Sequence, residues 1–251
     1  MPDIAKGHTV QRYDQELSQV RDQVLAMGRR VVEQVNAAAG ALTEGEIALA
    51  RQVVDRERHV DRQEMAVDEA IFNLIARRQP AAIDLRLVMA LSKCTGYLEQ
   101  AGDKAEQIAW CALRIKDREA RGAVPRTLHH VRRLHRIASR LLDLALMALA
   151  DIDVDRALDV FREEGELEEE FDAAMRHLMT FVFEDAALLG QVIDVVFALR
   201  ALVTIGDKAS NMAEQVIFVA KGTDVRYRNK EILIATLSQA PSSPAPGGGP
   251  E

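Results

Sequence analysis

The chain has 251 residues, 48% apolar and 28% charged, an ordinary globular composition that excludes disordered, collagenous and disulfide-framework proteins. Aromatic residues make up only 4%, which disfavours a β-sandwich or barrel built on β-branched and aromatic alternation and makes helix the default reading. With 32 Lys and Arg against 39 Asp and Glu the formal net charge is −7, so the chain as a whole repels phosphate backbones and no nucleic-acid partner is expected.

From about Val10 onward apolar residues recur in steps of three and four, through Val20, Val24, Met27, Val31, Val35, Ala38 and Leu42, and predict a first helix. Thr43, Glu44 and Gly45 supply its break. A second stripe runs from Ile47 through Val53, Val60, Val67, Ile71 and Leu74 and ends at Arg77, Arg78 and Gln79 before Pro80, which cannot continue that helix but suits the start of another. The third segment, about Ala81 to Arg118, carries Leu85, Val88, Leu91, Leu98, Ile108 and Leu113, and Gly122 and Pro125 punctuate its end. The same plan then restarts with a segment to Leu149, a DIDVD turn, a segment to about Asp185 and another to about Gly222. Rods of some 25 to 38 residues span roughly 40 to 55 Å, and with one apolar stripe each they must pack side by side.

The two halves superpose. At an offset of 107, Val24 meets Val131, Met27 meets Leu134, Leu42 meets Leu149, Ile47 meets Val154, Val60 meets Leu167 and Ile71 meets Leu178. At an offset of 104, Gly102-Asp103-Lys104-Ala105 falls on Gly206-Asp207-Lys208-Ala209. Apolar matches alone arise between any two amphipathic helices, whereas a shared tetrapeptide in both third helices points to duplication. The expected fold is therefore all-α, two tandem three-helix bundles of six long antiparallel helices. An N-terminal extension covers 1–9, the two repeats 10–120 and 121–222, and a tail 223–251 whose Pro-, Gly- and Ser-rich end, from about 239, reads as disordered.

Cys94 and Cys111 are too few and too far apart for a zinc site or disulfide framework, and their apolar helical surroundings predict buried, reduced thiols. The N-terminus lacks the apolar core of a signal peptide, and each apolar stretch reads as cut by charge before the roughly 20 residues of a membrane span. A soluble cytoplasmic protein with no direct membrane insertion is expected.

Carboxylates form the one constellation with a chemical task. Glu57 and Asp61 stand four apart, Glu64 and Asp68 repeat the spacing, and Glu99 and Asp103 repeat it on the third helix. Residues four apart share a helix face, where like charges repel unless a cation lies between them. Two facing pairs would offer oxygen ligands to a divalent or ferric metal such as Fe, Mn, Mg or Ca; taken singly, each pair is also what a solvated acidic face looks like. In the second half Glu164 and Glu168 fall opposite Glu57 and Asp61, and Asp207 opposite Asp103, but Val203 replaces Glu99; Asn211 offers a compensating carbonyl oxygen. A second-half site is expected to be weaker. None of the six histidines has Glu three residues before it, and HExxH, Walker and GxSxG patterns are missing, so no catalytic constellation and no organic cofactor is expected. His129, His130 and His135 lie among Arg126, Arg132, Arg133, Arg136 and Arg140, which reads as a solvated basic face, with anion or partner binding as the alternative.

The stretch RQPAAIDLRLVMALSKCTGYLEQAGDKAEQIA, the DRERHVDRQEMAVDEA before it and the later IGDKASNMAEQVIFVAKG resemble the PhoU family of phosphate-transport accessory proteins, over roughly Val10 to Gly222. The likeness joins a P-x-x-x-D-L-R turn (Pro80, Asp84, Leu85, Arg86) to the E-x-x-x-D motif and its duplicate. It implies a metal, Fe, Mn, Mg, Zn or Ca, held by Glu57, Asp61, Glu99 and Asp103, then by Glu164, Glu168 and Asp207, with Val203 a departure from the family's Glu. It also implies a negative regulator of phosphate uptake and phosphate-starvation signalling rather than an enzyme. Its partners would be the ATPase subunit of the high-affinity phosphate ABC transporter and the phosphate sensor histidine kinase. A homodimer peripheral to the inner face of the cytoplasmic membrane is implied. The competing reading is a metal-binding or storage helical bundle.

Overall fold

The computed structural model describes residues 4–118, 128–226 and 228–238, with side chains from residue 12 onward. The expected boundary at Gly122 and Pro125, Arg126 of the basic stretch, and the tail from about 239 lie outside the described residues. The fold is all-α, with helices α1 Ile4–Glu44, α2 Ile47–Arg78, α3 Ala82–Arg118, α4 Leu128–Asp151, α5 Val154–Glu184, α6 Leu189–Lys221 and a short α7 Lys230–Ser238. Helix α1 starts at Ile4 rather than near Val10, and α7 was not legible as a helix in the sequence.

Each segment stops for a local reason. Gln79, at φ 48°, takes the left-handed conformation that closes α2 and returns its amide to the Ile75 carbonyl, and Pro80 follows. In the DIDVD turn Ile152 has φ 51°, and the Asp153 side chain accepts from the amides of Asp155 and Arg156 at 2.9 and 3.1 Å, capping α5. Asp185 does the same for Ala187 in the 3-10 turn Ala186–Leu188 that leads into α6.

The helices form two three-helix bundles, α1–α2–α3 and α4–α5–α6, joined along α3 against α6 and α1 against α4, with α2 and α5 outermost. Residues paired by the repeat share their environments: Val24 and Val131, Met27 and Leu134, Leu42 and Leu149, Val60 and Leu167, and Ile71 and Leu178 are all buried. Polar groups bridge the halves. Asp194 of α6, 3% exposed, accepts from Arg114 Nε of α3 at 2.7 Å and from Arg118, which also donates to the Gly190 carbonyl at 2.5 Å. Asn36 Oδ1 of α1 accepts from Ser139 Oγ at 2.9 Å and lies 2.7 Å from His135 Nε2, both on α4. Arg86 of the P-x-x-x-D-L-R turn lays its guanidinium over Gly222 at the end of α6, where an added Cβ would fall 2.2 Å from Nη1.

In helix α6 charge does interrupt the apolar stretch, at Asp194 and Arg200, but only sparsely. The helix contains a window of mean hydropathy 1.9, apolar enough by length and composition to cross a membrane, and 56% of that window is buried in the molecule. Its apolarity follows from its position, since it packs on α3, α4 and α5 at once. Cys94 and Cys111 are fully buried; burial pushes their thiols up to about 12 and about 11.

The repeated glycines explain how the outer helices seat. A Cβ added at Gly102 would lie 2.9 Å from Glu57 Oε1 and 3.3 Å from Val60 Cγ1, both on α2; one added at Gly206 would lie 2.3 Å from Leu167 Cδ2 on α5. Val60 and Leu167 are counterparts in the repeat, so each glycine admits the same outer-helix position. Gly206→Val is expected to destabilise the chain by about 1–3 kcal/mol through overpacking, with Gly206→Ala milder because one terminal methyl of Leu167 has to turn. Urea unfolding midpoints check this, and an unchanged midpoint for the valine variant would contradict the crossing.

Candidate functional site

The structure brings the first-half carboxylates together. Glu57 sits on the α2 face against Gly102 of α3, 6% exposed, beside the buried Gln34 of α1. Burial first, then the charges of Asp103, Asp61 and Glu106, pushes its carboxyl up to about 8. Glu99 is half-buried, and its carboxyl is raised by burial and then by Asp103, Glu64 and Asp61. Asp103 is raised by burial and by Asp61, with Lys104 opposing. Glu64 is raised by burial and by Asp68, Asp61 and Asp103. Asp61 is exposed at the rim of this seam.

The second-half counterparts meet as the repeat predicts, with a different balance of charge. Asp207 of α6 is half-buried and raised by burial, then by Glu164, with Glu168 adding to the rise and Arg200 and Lys208 opposing it. Glu164 of α5 is ion-paired to Lys230 of α7, whose Nζ also stands 5.3 Å from the centre of the Phe161 ring. Glu168 is exposed, Val203 is buried in the core where Glu99 stands in the first half, and Asn211 is half-buried one turn beyond Asp207. A lysine from the same chain thus supplies the cation at this acid pair.

Among the described residues, the group of metal-capable side chains whose ligand atoms converge, all within 4.8 Å of one another, is His129, His130 and His177. This overturns the sequence expectation of a carboxylate-held metal. The carboxylates share a seam, but the convergent donor set is made of imidazoles. His130 of α4 is 8% exposed; its Nδ1 lies 2.6 Å from Glu170 Oε1 and its Nε2 3.1 Å from His177 Nδ1, both partners on α5. Glu170, 6% exposed, is also ion-paired to Arg133, whose Nε lies 2.9 Å from Oε2. The basic stretch of α4 is therefore tied into the molecule: Arg132 reaches Glu44 and the Thr43 carbonyl, Arg133 reaches Glu170, and Arg140 reaches Glu163. The sequence held one signal for this cluster, the spacing of Glu170 and His177 by seven, which puts both on one face of α5.

Comparison with known proteins gives a consistent result. The family model described as the PhoU domain matches twice, over residues 24–112 and 131–216. The chain is 38% identical over 225 residues to the phosphate-specific transport system accessory protein PhoU homolog of Pseudomonas aeruginosa, spanning 90% of this chain and 92% of that one. It is 34% identical to the accessory protein PhoU of Escherichia coli strain K12 over 88% of this chain and 90% of that one. The crystal structure of PhoU from Pseudomonas aeruginosa superposes with a TM-score of 0.80 at 37% identity, covering 84% of this chain and all (100%) of that one. The phosphate transport system regulatory protein PhoU from Streptococcus pneumoniae, at 19% identity and a TM-score of 0.77, shares the fold.

The buried Glu57 makes a pH prediction. Its carboxyl titrates near 8 when folded against an ordinary 4.5, so the folded chain holds the proton more tightly. The group's contribution to stability is then fully present below pH ~4.5 and is lost as pH rises through about 8. Glu57→Gln is expected to be more stable than the parent at alkaline pH, by on the order of 2 kcal/mol, with the gap closing towards pH ~5. Denaturant unfolding across that range measures it; a gap independent of pH would mean the Glu57 charge is not desolvated.

Proposed function

The chain belongs to the PhoU family, and from that premise we propose that it restrains phosphate uptake and phosphate-starvation signalling by linking the ATPase subunit of a high-affinity phosphate ABC transporter to a phosphate sensor histidine kinase. Family members are non-catalytic regulators of phosphate homeostasis. The observation that carries this reading is the two tandem PhoU-domain matches, on a fold that covers the whole of the Pseudomonas aeruginosa PhoU structure. Two bundles of rods locked together along α3 and α6 make a stiff body that keeps its shape while different faces meet different partners. In this reading the protein acts as a homodimer in the cytoplasm. It is recruited to the inner face of the membrane through its partners, since more than half of the apolar window of α6 is buried inside the molecule, where that helix packs on α3, α4 and α5.

Deleting the gene should derepress phosphate-starvation genes in cells grown with abundant phosphate, and restoring the full chain should repress them again. A tagged copy from phosphate-replete cells should retain both the transporter ATPase and the kinase. Persistent repression in the deletion strain would contradict a regulatory role, and recovery of neither partner would contradict the adaptor mechanism.

A further inference from the structure

We propose that His129, His130 and His177, backed by Glu170, form a binding site for a borderline transition-metal ion, with Zn²⁺ the best fit. The site is separate from the acidic seam and does not depend on the regulatory reading. Imidazole nitrogens suit Zn²⁺ and its neighbours, whereas an all-carboxylate site would select harder cations. His129 and His130 are consecutive on α4, and His177 faces them from α5 two turns beyond Glu170.

The hydrogen bonding prepares one ligand. Glu170 accepts from His130 Nδ1 at 2.6 Å, which places the ring proton on Nδ1 and leaves the Nε2 lone pair directed at His177. The second oxygen of Glu170 is held by Arg133 Nε at 2.9 Å, so the orienting carboxylate is itself fixed and buried. His130 Nε2 and His177 Nδ1 are 3.1 Å apart. Two ligands of a tetrahedral ion with Zn–N distances of roughly 2.0–2.1 Å stand roughly 3.3 Å apart, close to that separation. On binding, His177 takes the Nε2–H tautomer and the ion replaces the proton shared between the two rings. His129, whose ring centre is 3.9 Å from that of His130, is exposed and closes the third position with a side-chain rotation. The fourth position faces solvent and takes water. The ion would bind α4 to α5 at a point where one buried carboxylate already joins them.

The test uses the purified full chain, stripped of metal with a chelator and titrated with Zn²⁺ in competition with a chromogenic chelator. Co²⁺ serves as a visible reporter of tetrahedral nitrogen ligation. One equivalent of tight binding is expected, with an intense Co²⁺ band. His177→Gln and the exposed His129→Gln should each weaken binding by at least 100-fold, and Glu170→Gln by about 10- to 100-fold. Glu57→Gln and Asp103→Asn should leave it unchanged. Circular dichroism of each variant separates loss of the site from loss of fold, and His129→Gln keeps the test alive should a buried variant unfold. Absence of Zn²⁺ binding by the parent, binding insensitive to His129→Gln and His177→Gln, or binding abolished by the Glu57 and Asp103 variants would each overturn the proposal.

Discussion

The contact between α3 and α6 sets the terms for everything else in this molecule. Each third helix is buried against two partners of its own bundle and against the third helix of the other, so both must present small or apolar residues on most of their circumference. Ala101, Ala105, Ala109 and Ala112 on α3, and Ala198, Ala201, Ala209 and Ala213 on α6, are all buried. Short side chains let rods of this length approach closely along several faces at once. The salt-bridged Asp194, closed in by Arg114 and Arg118, then fixes how the two rods sit along one another, because a buried carboxylate that lost both guanidinium partners would carry a large desolvation cost.

That constraint accounts for the repeated Gly-Asp-Lys-Ala. The glycine makes room for the outer helix and the alanine packs into the core, while the aspartate lies at the edge of the acidic seam. As a signature of duplication the tetrapeptide was fully legible, since its positions are paired by packing and Asp103 and Asp207 lie in matching surroundings. As a signature of metal it misled. Carboxylates four apart on facing helices do come together, but burial first and then their mutual charge raise the carboxyls of Glu57, Glu64, Glu99, Asp103 and Asp207, and no convergent donor set forms among them. The two halves solve this differently. Glu57 has no cationic partner in its buried position and titrates far above its ordinary range, whereas Glu164 is met by Lys230 from the last helix.

The sequence showed apolar stripes, Pro80, the DIDVD turn and the internal offset because each is a local pattern of period 3.6 or a local break. What it hid were partnerships across distance. Lys230 sits in a short segment with no amphipathic stripe long enough to read as a helix, yet it reaches Glu164, 66 residues away. His130 finds Glu170 and His177 at separations of 40 and 47 residues. Arg132, Arg133, Arg136 and Arg140 are exposed, as a solvated basic face predicts, but Arg132, Arg133 and Arg140 also meet acids on other helices, which the local sequence does not show.

The acidic run of α5 shows most plainly why such faces are hard to read. Residues 163–170 include Glu163, Glu164, Glu166, Glu168, Glu169 and Glu170, which in one dimension is a uniform charged stretch. On a helix, successive residues turn by about 100°, so the run fans out around the axis. Glu163 goes to Arg140 and Glu170 to His130 and Arg133, all on α4; Glu164 goes to Lys230 on α7; and Glu168 contributes to the field at Asp207 on α6. Glu166 and Glu169 remain exposed. The same eight residues thus serve one histidine cluster, one acidic seam and one tail anchor. Glu168 and Glu170 fall on opposite flanks of the helix because two positions make about 200°, which is why the imidazole cluster and the carboxylate seam stay chemically separate on a single rod.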